Sequence, residues 1–500
     1  MLTIIVLTFL AVLAWAIVRE HGKAPRKDGK RLSQAPGALP FIGYTARLLQ
    51  PRYKLLDHLA HVQAETGLKT FEIPSPFLPP TILISDPVCL EYVFREHEIF
   101  AKGTFFRSRM YDLFGMSKVK AISGAAKLEI KGNGILNASG SLWHSQRKAG
   151  VKFLSIANVA RFSNETLPPL IEDMHQQLGA ADSNGGTIDL QDILLNLMSK
   201  FFGLVAYDTV PSADLVRAFD EASAWTDSRF MNPFWRLYEA LFGQSLRRAL
   251  QTVKEFGHKV VTKASEKASV PGRETLLDLL LERIPDKDTV ADAATTYMSA
   301  GRDTTAQAMT WSLYELSRSP EVLGALLENL QPHATTTRSG TLRTTDSHLS
   351  YIKAAFAEAL RLNPSVPLIM RETSQECTLP DGTILQPGTI VVWAPYAMAR
   401  SPAVWSKDAG DFKPERWLSY DASGHATFMP RSASEYPVFH GGPRICIGKS
   451  MAEVVGCQVL AELVLNWDFE VVDKEGRRHV GESLTAPMAG GLVVRPRRRI

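Results

Sequence analysis

The segment Phe439-His440-Gly441-Gly442-Pro443-Arg444-Ile445-Cys446-Ile447-Gly448 holds the densest set of chemically capable residues in the sequence. Cys446 stands just before an apolar helical stretch that begins at Lys449. A thiolate ligand needs a lowered pKa, and the dipole and free amides of a helix N-terminus lower it. Gly441, Gly442 and Gly448 allow backbone to lie close to a flat macrocycle. Amides near Cys446 would donate to its sulfur and tune a bound metal. Phe439 would shield the sulfur from water, and Arg444 would pair with a carboxylate on the macrocycle. The bland alternative is a glycine-rich loop around a buried cysteine. The remaining cysteines, Cys89, Cys377 and Cys457, match no zinc spacing and form no CxxC, which fits a reducing compartment.

A second group lies in Ser299-Ala300-Gly301-Arg302-Asp303-Thr304-Thr305, inside a helix of roughly 30 residues by periodicity. Gly301 costs that helix about 1 kcal/mol relative to alanine. Asp303, Thr304 and Thr305 compete for backbone hydrogen bonds. Local rules broken inside a long, strong helix point to function. Two pairs share helix faces: Glu358 with Arg361 at i,i+3, and Trp143 with Arg147 at i,i+4.

The elements that must position these residues are mostly helical. Amphipathic stretches cover 188–206, 244–268, 286–318, 347–362 and 449–466, and strand-like segments cover 70–73, 81–84 and 389–394. The expected fold is mainly α with small β-sheets. No internal repeat is evident, and a hydrophobic share of 45% suffices for a large core around a bulky cofactor. The net charge of +4 is a mild excess, and the Arg495, Arg497, Arg498, Arg499 cluster reads as a solvated tail, with no nucleic-acid partner. Leu2 to Val18 is an uncharged apolar run of 17 residues. As a helix it spans roughly 25 Å at about 1.5 Å per residue, the short end of what a bilayer requires. Arg19, Lys23, Arg26, Lys27, Lys30 and Arg31 follow it, so the next domain stays cytosolic under the positive-inside rule. The expected layout is a single-pass anchor at 1–18, a basic linker at 19–34, a stiff break at 35–40, and one enzyme domain over 35–500.

F-x-G-G-x-R-x-C-x-G resembles the haem loop of the cytochrome P-450 family at every defining position. The resemblance extends from about Ala35 to the C-terminus. Ala300 to Thr305 resembles the family's A-G-x-D-T-T motif, Glu358 to Arg361 its ExxR pair, and Pro414-Glu415-Arg416-Trp417 the loop whose arginine completes a Glu-Arg-Arg cluster. The resemblance implies the P-450 fold, with haem b between a long distal helix and a proximal helix. It makes Cys446 the iron ligand, and Trp143, Arg147, Arg371 and Arg444 the partners of the haem propionates. Phe439 and Gly448 would lie beside the ligand. Ala300 and Gly301 would leave room for dioxygen, Thr304 would hydrogen-bond it, and Asp303 would pass protons inward. Arg302 would be the salt-bridge partner of Asp303 or a surface anchor, and not a catalyst. Glu358, Arg361 and Arg416 would be a structural brace.

The implied activity is that of a monooxygenase. The sequence carries no GxGxxG fingerprint and no room for a fused flavin domain, so electrons would come from NADPH through a separate flavoprotein reductase. Arg147, Lys148, Lys152 and Lys449 are candidates for its docking face. The expected location is the endoplasmic-reticulum membrane. Residues 134–148, 300–306 and Pro395-Tyr396-Ala397-Met398 resemble the fatty-acid and alkane hydroxylases of the family, which implies an apolar chain hydroxylated at or near its end. Phe105-Phe106 to Phe114 and Trp225 to Phe242 would line or cover the pocket. The alternatives are a biosynthetic enzyme for a terpenoid or polyketide, or a haem-thiolate isomerase or dehydratase working without a reductase. Against the last stands the intact Asp303-Thr304 pair.

Overall fold

The computed structural model of the chain describes residues 24–76, 78–118, 130–267, 273–331, 349–472 and 477–499. The expected anchor at 1–18 lies outside them. Among the described residues, no helix is long and apolar enough to cross a membrane.

The helices that shape the site are, in chain order, α1 (Arg52–Thr66), α2 (Pro87–Arg95), α3 (Gly103–Met110), α4 (Gly140–Phe153), α5 (Leu190–Tyr207), α6 (Ala213–Met231), α7 (Trp235–Phe242), α8 (Gln244–Glu266), α9 (Lys287–Arg318), α10 (Ser350–Leu362) and α11 (Lys449–Asn466). The five periodic stretches of the sequence correspond to α5, α8, α9, α10 and α11. The 32-residue α9 starts where the Asp286 side chain accepts from the Thr289 amide, a capping bond that satisfies an otherwise orphaned donor. It is buried on nearly every side, so it runs through the core. Its hydroxyls survive burial by bonding back to the preceding turn: Thr304 Oγ1 donates to the Ala300 carbonyl at 2.8 Å and Thr310 Oγ1 to that of Ala306 at 2.9 Å. α5 packs along α9, and the largely buried α10 and α11 flank it.

The small sheets are built from β1 (Arg26–Lys27), β2 (Lys30–Arg31), β3 (Phe71–Glu72), β4 (Thr81–Leu83), β5 (Phe100–Ala101), β6 (Ile369–Thr373), β7 (Cys377–Thr378), β8 (Ile384–Leu385) and β9 (Ile390–Trp393). One sheet runs β3-β4-β9-β6-β5, with β9 parallel to β4 and antiparallel to β6, so that Val391 faces Arg371 across the ladder. A second runs β7-β8-β1-β2.

Residues 19–23 lie outside the described ones; from residue 24 onward, the second sheet corrects the reading of 19–34 as a linker. Within it, β1 and β2 form a hairpin that joins β8. Asp28 and Gly29 supply the two positive φ angles, 52° and 73°, that a tight two-residue hairpin requires. Ala24 and Leu32 are buried, so the folded domain begins before Ala35. The arginine run near the C-terminus is also ordered. It lies in β11 (Val493–Arg498), paired with β10 (Trp467–Val471), where Arg495 and Arg497 meet Glu470.

Candidate active site

A cavity of about 380 Å³ opens where α9, α10, β6 and the cysteine loop converge. Cys446 lines it, unpaired and with its side chain exposed to this space. The loop is shaped before α11 begins. Gly442 holds a φ of +59°, the Ile445 amide closes onto the Gly442 carbonyl at 3.1 Å, and the Cys446 amide donates to the Phe439 carbonyl at 2.8 Å. At Gly441 and Gly442 the close neighbour is Phe94 of α2, with which any Cβ would collide. These glycines therefore permit close packing of the loop on α2. A Cβ at Gly448 would meet only the Cys446 Sγ, at 3.8 Å.

The thiol's pKa also departs from expectation. Burial within the protein raises it, while the Gly448 and Lys449 amides and the Arg147 charge pull it down. The helix terminus acts in the expected direction, but burial wins in the polypeptide alone. Coordination to a metal deprotonates a thiol outright, so a bound iron would settle the balance.

One wall of the cavity is basic. Lys102, Arg147, Arg371 and Arg444 all line it, and among the described residues none is ion-paired to a carboxylate. Burial and the neighbouring arginines push the Lys102 ammonium well below its ordinary value. Burial and Arg444 push Arg371 down to about 9, and burial with Arg107 and Arg147 pushes Arg444 down to about 10. Arg444 lies 3.7 Å over the Trp143 ring, and Arg147 donates to the Ile445 carbonyl at 3.0 Å. Buried like charges without counter-charges are unfavourable unless an anion joins them. The two propionates of a haem fit this wall, an apolar interior fits its ring, and Cys446 fits its iron.

Lys102 and His440 escaped the sequence reading. His440 sits at a φ of +60°, a strained position for a non-glycine residue. Its ring is held between Phe94 and Trp393, at centroid distances of 4.6 and 5.4 Å. Nε2 lies 2.6 Å from Arg371 Nη2, and Nδ1 lies 2.7 Å from the Gly441 amide nitrogen and 3.0 Å from its carbonyl oxygen. No local pattern marks either residue. Arg147, offered above as part of a docking face, is instead turned inward. Lys152 pairs with Glu274 and Lys449 with Glu453, while Lys148 is exposed.

On the opposite side, Ser299, Ala300, Gly301 and Thr304 of α9 line the cavity. The space a Gly301 side chain would take is filled by the Phe202 ring of α5, so this glycine permits helix packing at the cavity edge. Asp303 does not line the cavity. It is buried beside Arg302, whose Nη1 donates to it at 2.8 Å and to Asp220 at 2.8 Å. Burial lifts the Asp303 carboxyl up to about 6 against the pull of Arg302; Asp220 adds to the rise, and the Ser299 hydroxyl holds it down. Asp220 is half-exposed, so a polar chain runs from the cavity-lining Ser299 through Asp303 and Arg302 to the surface.

Glu358, Arg361 and Arg416 do converge. Arg361 donates to Glu358 at 2.7 and 2.8 Å, and Arg416 at 2.8 Å. The Trp417 indole at 2.9 Å and the Lys413 amide at 2.9 Å complete the set. Arg361 also reaches the Ala399, Ala409 and Asp411 carbonyls, tying α10 to the chain that leads into the cysteine loop.

Phe106, Met110 and Phe114 line the cavity, as do Phe230 and Met231. The second aromatic stretch is only partly inward, because Phe234, Leu237, Leu241 and Phe242 are exposed. Arg229, fully buried, pins this region by bonding Asp112 and Glu239.

Known proteins resemble the chain over most of its length. The cytochrome P450 family model matches residues 116–495. Cytochrome P450 CYP94D108 of Paris polyphylla is 30% identical over 95% of this chain and 93% of its own. Cytochrome P450 86B1 of Arabidopsis thaliana is 29% identical over 85% of this chain and 79% of its own, and cytochrome P450 94B1 of the same plant is 28% identical over 100% and 98%. The chain belongs to the cytochrome P450 family, as a haem monooxygenase served by a redox-partner reductase and acting on a hydrophobic substrate.

Proposed function

We propose that the chain binds haem b through Cys446 and hydroxylates a long aliphatic substrate, a fatty acid or alkane, at or near its end. The observation that carries this reading is the cavity, with the Cys446 thiol on one side, an unpaired basic wall beside it, and otherwise mostly apolar lining. Trp143, Arg147, Arg371 and Arg444 hold the propionates, with Lys102 beside them. When bound, the haem supplies dioxygen activation and oxygen transfer. Phe439 and Gly448 screen the sulfur. Ala300 and Gly301 border the space for dioxygen, Thr304 presents its hydroxyl there, and Asp303 draws protons along the chain from Asp220. Glu358, Arg361 and Arg416 brace the cysteine loop. Each buried methylene contributes about 0.8 kcal/mol, so such lining holds a long chain without a dedicated polar contact.

Electrons come from NADPH through a separate flavoprotein reductase. Residues 1–18 anchor the protein in the endoplasmic reticulum with the enzyme domain cytosolic. The exposed apolar side chains of α7 would favour contact with the same bilayer. The test is to titrate saturated fatty acids and alkanes of increasing length into the ferric enzyme and watch for displacement of water from the iron. Turnover with NADPH and a reductase follows, with products mapped by mass spectrometry. Terminal or near-terminal alcohols are expected. A spectral response to a cyclic metabolite and to no aliphatic chain would overturn the substrate assignment.

A further inference from the structure

Away from the basic wall, and among the described residues, the cavity lining holds one further charged pair, Arg52 and Asp227. Arg52 opens α1 and Asp227 lies late in α6, so two segments far apart in sequence meet here. The Arg52 Nη1 donates to Asp227 Oδ1 at 2.7 Å and to the Ser483 carbonyl. The Arg52 amide donates to Glu482 at 2.8 Å, and Ser483 Oγ lies 3.0 Å from Ser223 Oγ. The Arg52 and Asp227 side chains are each only 5% exposed, and the Arg52 Nε is buried with no partner. Among the described residues, Arg52 Nη2 and Asp227 Oδ2 have no hydrogen-bond partner either. An apolar cavity thus presents an unfilled donor and an unfilled acceptor on adjoining groups. A buried polar group left unsatisfied is costly, so such a pair selects for a ligand group that completes it.

We propose that Arg52 and Asp227 form a subsite for a neutral hydroxyl on the substrate, accepting its proton at Asp227 and donating to its oxygen from Arg52. The proposal rests on the aliphatic reading above and adds the chemistry of a polar group on that chain. Charge decides against a free carboxylate. Arg52 is already neutralised by Asp227, and Glu482 adds a further negative charge that acts on Asp227. A carboxylate here would meet net repulsion and would have to displace Asp227 from Arg52, its one cationic partner among the described residues.

The experiment compares dodecane, lauryl alcohol and lauric acid by spectral titration of the haem-loaded enzyme at neutral pH. The alcohol is expected to bind roughly tenfold more tightly than either of the others, the scale of a satisfied polar contact. Asp227→Asn removes the negative charge and leaves Arg52 cationic, so the acid should then overtake the alcohol. The paired substitution Arg52→Met with Asp227→Leu removes both charges without orphaning either, and should erase the alcohol's advantage over dodecane. Should Asp227→Asn fail to hold haem, the wild-type order and the paired variant still decide. Acid binding tighter than alcohol in the wild type, or an order unchanged in the paired variant, would overturn the subsite and leave the aliphatic reading standing. No response to any of the three would overturn both.

Discussion

Glu358→Ala offers the sharpest test of how the fold supports the cysteine loop. Glu358 is fully buried and takes hydrogen bonds from two Arg361 nitrogens, Arg416, the Trp417 indole and the Lys413 amide. Breaking a buried ion pair by removing one partner costs about 3–5 kcal/mol, because the other charge is left uncompensated. Two neutral donors orphaned with it cost about 1–3 kcal/mol each. The total is at least roughly 5 kcal/mol, the lower end of the whole stability of a typical folded domain, about 5–15 kcal/mol. The variant should therefore accumulate with little haem and, where any folds, unfold at a much lower urea concentration. Asp408→Ala is the control. Asp408 touches the same Arg416 at 3.5 Å but is partly exposed, and its loss should leave the midpoint near that of the wild type. A Glu358→Ala protein with normal haem content and an unchanged midpoint would refute the reasoning.

Three further outcomes are expected. Gly301→Ala gains about 1 kcal/mol of helix propensity but drives a methyl into the Phe202 ring, and overpacking of about 1–3 kcal/mol should make it net destabilising in thermal unfolding. Thr304→Ala should retain haem yet consume NADPH with peroxide in place of product; unchanged coupling would remove Thr304 from the chemistry, and loss of haem would make it structural. Asp303 has its carboxyl raised from 3.8 to about 6, so the native state holds that proton more tightly than the unfolded chain. Its contribution to stability therefore falls as pH rises between those values. Proton delivery that relies on the ionised carboxylate should accordingly fail as pH drops through about 6, and Asp303→Asn should abolish that acid limb in product-coupled turnover.

The long helices were legible because their apolar residues recur at helical spacing over many turns. α9 is the clearest case: periodicity places it at 286–318, and the chain folds it at Lys287–Arg318. The cysteine loop and the Glu358 cluster were legible because their residues occur in short, characteristic runs. What escaped the sequence joins positions with no local relation. Arg52 and Asp227 are 175 residues apart, and Lys102 meets Arg371 only because α3 packs on β6. The glycines were legible only in part, for a related reason. Gly301 and Gly442 announce a close approach, but only the packed structure shows that the approaching groups are Phe202 and Phe94. The Asp28-Gly29 hairpin was a legible signal overlooked among basic residues that read as a linker.

The central claim is that Cys446 is the thiolate ligand of a haem held against the basic wall of this cavity. The most direct measurement is the absorption spectrum of the reduced carbon monoxide complex of the wild type and of Cys446→Ala. The wild type should show the strongly red-shifted Soret band of thiolate ligation, and Cys446→Ala should lose it, while replacement of Cys89, Cys377 or Cys457 leaves it in place. Retention of that band in Cys446→Ala would contradict the account.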